Sequence, residues 1–355
     1  MLAFYTNTLR IAPRLSAAAL ARGFRTSAGP TRNYIKVIDT VAGFRQWRAA
    51  AVSGATNKTL GFVPTMGSLH AGHLDLIRTA LAQNDVTAIS IFVNPSQFAP
   101  NEDLETYPRD LESDLAQIRS VIDEFNKQQK GRNDIDSKNS SNPVAVFTPS
   151  VQEMYPDSIS GIQTVVEVVG LSSQLEGSVR PHFFKGVATV VTKLLNVVRP
   201  QRVYFGQKDI QQCTVVTRLV RDLLLDTEVV MGPTVREPSG LAMSSRNLYL
   251  TDSSRAKARV LHDALTAAET LYRSGVTNRD ELITAINREF EPYTLGNSID
   301  DNFQIEVEYV SIADKQQLRE IDTIVPGTGA VVSAAIRVPN KQGKQTRIID
   351  NILLH

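Results

Sequence analysis

The apolar run Thr59–Val63 leads, through Pro64-Thr-Met-Gly-Ser-Leu-His-Ala-Gly-His73, into Leu74, Ile77 and Leu81 at helical spacing. A buried strand that passes directly into an amphipathic helix is the unit of a parallel α/β sheet, and it constrains the chain more than any other stretch. His70 and His73 fall at the start of that helix. At i and i+3 their rings share a face, beside free backbone N–H groups and the positive end of the helix dipole, which suits a triphosphate. Gly67 and Gly72 have no Cβ, so a ligand can approach the backbone closely. Two histidines at this spacing could also ligate a metal, but only His182, His262 and His355 remain elsewhere to supply a third ring.

The same alternation continues along the chain. Strands are predicted at Thr59–Val63, Ala88–Val93, Val144–Phe147, Arg202–Phe205 and Glu228–Met231, with helices His73–Ala82, Leu111–Asp123, Gly186–Val198 and Ile210–Leu225 between them. The fold class expected is α/β, a Rossmann-like doubly wound parallel sheet. Ligands of such sheets bind beyond the strand carboxyl ends, where Pro64, Asn94 and Gly206 should emerge together. Walker and Gly-x-Gly-x-x-Gly loops are absent, which removes the main support for P-loop and dehydrogenase chemistry. After Pro233 the order changes. A long helix over Thr251–Ser274, a second helix opened by Asn278, and strands at Gln304–Ile312, Ala330–Ile336 and Arg347–Leu353 suggest a smaller C-terminal α+β unit.

The expected division is therefore 1–33 as a targeting segment, 34–232 as the Rossmann-like domain and 233–355 as an α+β lid domain. Arg10, Arg14, Arg22, Arg25 and Arg32 punctuate a start that has no acidic residue before Asp39, a composition that suggests a mitochondrial address, with a cytoplasmic location as the alternative. Residues 126–142 are polar and should form a surface insertion. The carboxylates of Glu102–Asp114 are expected mostly on a solvated helix face, with Leu104, Leu111 and Leu115 inward. With 38 Lys and Arg against 37 Asp and Glu, no electrostatic case for nucleic-acid binding arises. No apolar run is long enough to cross a membrane, and Cys213 is alone.

A second signature, Leu241-Ala-Met243-Ser244-Ser245-Arg246, lies far downstream of the histidines. An H-x-G-H with a Met-Ser-Ser-Arg loop resembles the paired signatures of class I aminoacyl-tRNA synthetases and related nucleotidyltransferases. Ser90-Ile-Phe-Val-Asn-Pro-Ser-Gln-Phe98, Tyr107-Pro-Arg109, Arg180-Pro-His-Phe and Gly206-Gln-Lys-Asp209 narrow the likeness. Together these motifs resemble the pantothenate synthetase family from roughly Ile35 to the C-terminus. The resemblance implies an enzyme that joins pantoate to β-alanine using ATP and magnesium, through a pantoyl adenylate, as a homodimer.

It also implies a site. Met66, Gly67, Ser68, Leu69, His70, Ala71, Gly72, His73, Gly206, Gln207, Lys208, Asp209, Val235, Met243, Ser244, Ser245 and Arg246 should surround ATP. His73, His70, Lys208, Ser245 and Arg246 should serve catalysis, with His73 as proton donor. Gln97 should hold pantoate and approach β-alanine, Gln212 should hold pantoate, and Asn94 and Arg180 should assist. Residue chemistry agrees: adenylation needs charge neutralised on three phosphates, and a hydroxy acid calls for amides that both donate and accept. Ala71 and Gln207 depart from the family pattern, where acidic residues are common. No acidic cage for a metal is visible, so magnesium is expected to arrive on the phosphates.

Overall fold

The computed structural model describes residues 35–53, 58–100, 102–130, 142–296 and 303–355. The arginine-rich segment 1–33 lies outside the described residues, and so does the centre of the polar insertion.

Six parallel strands form the main sheet: β1 (Ile35–Ile38), β2 (Leu60–Thr65), β3 (Val86–Ile91), β4 (Val144–Phe147), β5 (Arg202–Gly206) and β6 (Glu228–Gly232), in the order β1-β4-β3-β2-β5-β6. Neighbouring residues of one strand enter different cores. Phe62 and Ala88 pack with Phe44, Phe184 and Val198 on one face, whereas Val63 and Ile89 pack with Ile77, Leu81 and Ile118 on the other. Both faces are thus covered by helices, which explains why these strands read as continuous apolar runs. From β2 the chain steps to β3 and β4 on one side, then returns to place β5 and β6 on the other. The strand order therefore reverses between β2 and β5, and a crevice opens beyond their carboxyl ends.

The expected elements are found with shifted ends; β1 and the helix Val41–Val52 that follows it lie outside them, because β1 buries only Ile38 and the helix only Phe44, whereas the equally short β4 is buried throughout. The helix Leu111–Lys130 runs further than Asp123, so the first part of the presumed insertion is helical; its inward stripe is Leu115, Ile118, Val121 and Ile122, while Leu111 is 41% exposed. At the far end Asn142 donates to the carbonyls of Leu81 (3.3 Å) and Asn84 (2.7 Å). The run Thr251–Ser274 is two helices, Asp252–Lys257 and Val260–Arg273. Their attachments differ: Arg255 binds Glu237 at 2.9 Å, whereas Val260, Leu261, Ala264, Leu265 and Ala268 turn a continuous apolar stripe inward.

The C-terminal sheet is antiparallel, β7 (Glu306–Ala313), β8 (Ala330–Pro339) and β9 (Gln345–Leu354), in that order. Val332, Ala334 and Ile336 of β8 pack with Leu261, Leu265, Leu282 and Ile286 of the helices Val260–Arg273 and Arg279–Phe290. Val331, on the opposite side of the pleat, joins the core of the parallel sheet. The described residues from Ile35 to His355 accordingly form one compact unit.

Candidate functional site

The loop after β2 is built by unusual backbone. Gly67 (φ 82°) and Ser68 (φ 51°) are both left-handed. A side chain on Gly67 would meet the Asp114 carboxylate at 2.9 Å, so glycine is required there for conformation and for space. Asp114 accepts the N–H groups of Ser68 (3.0 Å) and Leu69 (2.7 Å), and this offsets the cost of the strained turn. Burial raises the Asp114 pKa, and those two backbone donors counter the rise only in part.

His70 caps the helix Ala71–Gln83. Its Nδ1 accepts from Gly72 N–H (3.2 Å), and His73 Nδ1 reaches back to His70 N–H (3.4 Å), which is a capping box made of two imidazoles. The ring centroids are 4.0 Å apart. Because both Nδ1 atoms accept, the proton of each neutral ring resides on Nε2, which is left to donate outward. Burial lowers both pKa values, to about 2 for His70 and about 4 for His73; for His70 the neighbouring His73 and then Lys208 add to the effect. For His73, Asp209 pulls the other way without prevailing. The rings are neutral donors at pH 7.

Across the reversal point, β5 ends at Gly206 and the turn Gln207–Asp209 carries Lys208. Lys208 Nζ lies 3.5 Å from Asp209 Oδ1, a long contact between a largely buried amine and a half-exposed carboxylate. The third segment comes from the C-terminal part. Val235 lies over Gly72, with its Cβ 3.9 Å from where a Gly72 Cβ would stand, and Met243 N–H donates to the Val235 carbonyl. Beyond Met243, Ser244 caps the short helix Ser245–Tyr249, and Ser245 Oγ donates to the Ser68 carbonyl at 2.9 Å. Arg246 makes a two-pronged pair with Asp103 (2.8 and 3.0 Å). Burial opposes the charge on both, but the pairing outweighs it, so the Arg246 pKa rises and that of Asp103 falls.

Asn94, Gln97, Arg180 and Gln212 occupy the same end of the sheet in different ways. Asn94 is saturated: its amide donates to Gln97 Oε1 (3.1 Å) and Gly186 O (3.3 Å), and its carbonyl accepts from Tyr155 Oη (2.7 Å) and Ser96 Oγ (3.0 Å). That fixes the amide of Gln97, whose Nε2 turns to Met66 Sδ at 3.3 Å. Phe98 meets Tyr107 edge-on. Gln211 is consumed by the backbone of Leu171, Gln174 and Glu176, whereas Gln212, one residue on, has no hydrogen-bond partner among the described residues. Arg180 pairs with Glu102 (2.6 Å) and Glu176 (2.8 Å) and lies 3.8 Å from the centre of the Phe183 ring. A cleft of about 830 Å³ is lined in part by Gln97, Arg180, Lys208, Ser244 and Arg246. Among the described residues, no group of three or more His, Cys, Asp or Glu is placed to hold a metal.

Glu102, Asp103 and Asp114 correct the solvated-face reading. The first two precede the helix and pair with arginines 78 and 143 residues away, and Asp114 is 2% exposed. Asp114 had a signal in the sequence, since it sits on the apolar stripe of Ile118 and Val121 at helical spacing. Glu102 and Asp103 had none.

Comparison with known proteins agrees with this arrangement. The profile of the family described as pantoate-beta-alanine ligase matches residues 36–353. A pantothenate synthetase of Herpetosiphon aurantiacus is 46% identical over 83% of this chain and 93% of its own length; one of Thermotoga petrophila is 41% identical over 90% of this chain and all of its own. Crystal structures of the Thermus thermophilus enzyme (38% identity, TM-score 0.71, 89% and 98% covered) and of the Francisella tularensis ligase (30%, 0.63, 90% and 97%) are similar in fold; the latter is complexed with beta-gamma ATP and β-alanine. The relatives are bacterial, from cells without mitochondria, which overturns the mitochondrial address read from the arginine-rich segment. On the extent of the profile match and on these identities, the chain belongs to the pantoate–β-alanine ligase family.

Proposed function

We propose that the chain condenses pantoate with β-alanine, forming pantothenate, AMP and diphosphate through a pantoyl adenylate. The observation that carries this reading is that three segments meet near the strand ends: the His70–His73 pair, Lys208, whose charge acts on both rings, and Ser245, bonded across to Ser68. Family membership supplies the substrates.

In the first step the pantoate carboxylate attacks the α-phosphorus of ATP. An acyl–oxygen–phosphorus bond forms, the α–β bridge breaks, and diphosphate leaves with the electron pair. Neutral imidazoles that donate from Nε2 can follow the growing charge on phosphate oxygens without an initial desolvated cation. Lys208 adds a full positive charge. Ser244 offers its hydroxyl, Ser245 holds the loop to Ser68 and can donate to phosphate only by giving that bond up, and Arg246 offers the guanidinium edge that Asp103 leaves free. Gly67, Leu69, Ala71, Gly72, Gly206, Gln207 and Val235 supply backbone and space around the nucleotide. Asp209 is suited to the ribose or to orienting Lys208.

Gln97 and the amide of Gln212, without a hydrogen-bond partner among the described residues, are the groups assigned to the pantoate hydroxyls; Asn94 and Arg180 act behind them, through Gln97 and through Glu102. In the second step the β-alanine amine attacks the acyl carbon, loses a proton, and AMP leaves. Magnesium belongs to the substrate in this proposal, carried on ATP phosphate oxygens, because the described residues form no metal cage. Residues 233–355 are read as a lid whose Ser244–Arg246 loop closes on ATP. The homodimer implied by the resemblance is part of the same reading, and sedimentation of the purified chain checks it.

The deciding assay supplies ATP, pantoate and β-alanine. One AMP and one diphosphate per pantothenate are expected, with pantoate alone supporting exchange of labelled diphosphate into ATP. Formation of ADP and phosphate would mean attack at the γ-phosphorus and would sink the proposal.

A further inference from the structure

Two neighbouring residues of the last strand reach the turn that carries Lys208 and, through Arg236, the hairpin that leads to Ser244. Asn351 is 1% exposed, and its amide donates to the carbonyls of Gln207 and Lys208, both at 2.9 Å, while its own carbonyl accepts from Gln207 Nε2 at 3.3 Å. All three bonds go to the turn that presents Lys208. Asp350, 2% exposed, binds Arg236 through both carboxylate oxygens (2.5 and 3.1 Å) and accepts the N–H of Asn351 (2.8 Å). Arg236 in turn donates to Gly240 O and bridges to Ala242, so it braces the hairpin that ends at Met243 and Ser244.

Successive side chains of a strand project to opposite sides. From adjacent positions, Asp350 and Asn351 therefore grip two segments that are far apart in sequence and close in space. The strand itself is held by β8 along its whole length, with Asp350 opposite Ala334 and Asn351 opposite Ser333. Among the described residues, neither side chain makes a hydrogen bond to His70, His73, Gln97 or Gln212.

We infer that Asp350 and Asn351 are positioning residues for adenylation: Asn351 sets the Lys208 turn, Asp350 sets the Ser244–Arg246 loop through Arg236, and their adjacency on β9 fixes the distance between the two. Among the described residues the Lys208 side chain makes one ion pair, the 3.5 Å contact with Asp209, so the turn that carries it is set through its backbone. Three hydrogen bonds from one buried amide supply what the local sequence lacks. This deepens the proposed ligase reading and rests on it.

The test is a pair of double-mutant cycles read by diphosphate–ATP exchange, with aminolysis of supplied pantoyl adenylate by β-alanine as the second readout. Asn351→Ala should lower exchange by about tenfold in the native background and by less than about twofold once Lys208 is already alanine. Asp350→Asn should show the same dependence on Ser245→Ala. Aminolysis should change little in either. Asn351→Ser, uncharged and too short to reach both carbonyls, replaces the alanine variant if the latter does not fold.

Additive cycles, or parallel loss of exchange and aminolysis, would overturn the inference and leave a merely structural strand; so would failure of both Asn351 variants to fold. An unmodified protein with no pantoate-dependent exchange would instead remove the ligase reading, so the two failures are distinguishable.

Discussion

The two sides of the crevice are held in contrasting ways. The His70–His73 side is secured by contacts two and three residues apart, imidazole nitrogen to backbone N–H. The Lys208 and Ser244–Arg246 side is secured from far away in sequence, by Asn351, Asp350 and Asp103. A self-contained cap presents its donors as soon as the helix forms. Loops braced from a distance present theirs only when the C-terminal sheet has docked, which is the arrangement expected of a part that completes a site by closing.

The largest expected effect probes whether the two sides contribute comparably to chemistry. His73→Asn keeps an acceptor near the helix start, and Lys208→Ala removes an amine whose long contact with Asp209 adds little to the fold. Each should lower diphosphate–ATP exchange by about a hundredfold, the scale of one lost donor of roughly 3 kcal/mol in a preorganised site. Melting temperatures should stay near that of the native protein. If one variant keeps native exchange, that side of the crevice only binds ATP.

An intermediate effect tests how local the histidine side is. Asp114, 46 residues from Ser68, takes two backbone donors at the left-handed turn. Asp114→Asn turns an amide N–H toward one of them and should cost about 1.5–3 kcal/mol, the range for hydrogen bonds to a charged group. Affinity for ATP, measured by calorimetry, should drop by about tenfold, the equivalent of 1.4 kcal/mol. Unchanged affinity with reduced stability would mean that the cap holds the histidines without the turn.

Legibility in the sequence follows the same division. The parallel sheet and the capped histidines could be read because period, strand-to-helix order and i, i+3 spacing are local properties. Gln212 could be singled out only through the family resemblance; composition alone does not separate it from Gln211, which differs by facing the 171–176 loop. Glu102 and Asp103 looked like solvent carboxylates because the arginines that bind them come from other segments. The break at Ala258 and the reach of Asp350 and Asn351 likewise depend on how the C-terminal sheet packs. Pairing across such separations leaves no periodic trace.

The smallest effect concerns pH and separates the sides without touching catalysis. His70 and His73 have folded pKa values near 2 and 4, below the ordinary 6.5, chiefly because burial penalises the imidazolium. Between pH 6.5 and about 4 the unfolded chain binds protons that the folded chain refuses. The stability contributed by the neutral rings is therefore complete above pH 6.5 and is lost as the pH falls toward the folded value. Asp103, lowered because its arginine outweighs burial, keeps its charge through that window, so the Ser244–Arg246 side should not respond. The melting temperature should fall from pH 7 to pH 4.5. In a His70→Asn, His73→Asn double variant, where Asn still caps the helix, the slope should flatten. In Asp103→Asn it should match the native slope from a lower start. Equal slopes in native protein and double-histidine variant would show that the acid sensitivity lies elsewhere, and that the neutral imidazole pair is not a stability-bearing feature of its side of the crevice.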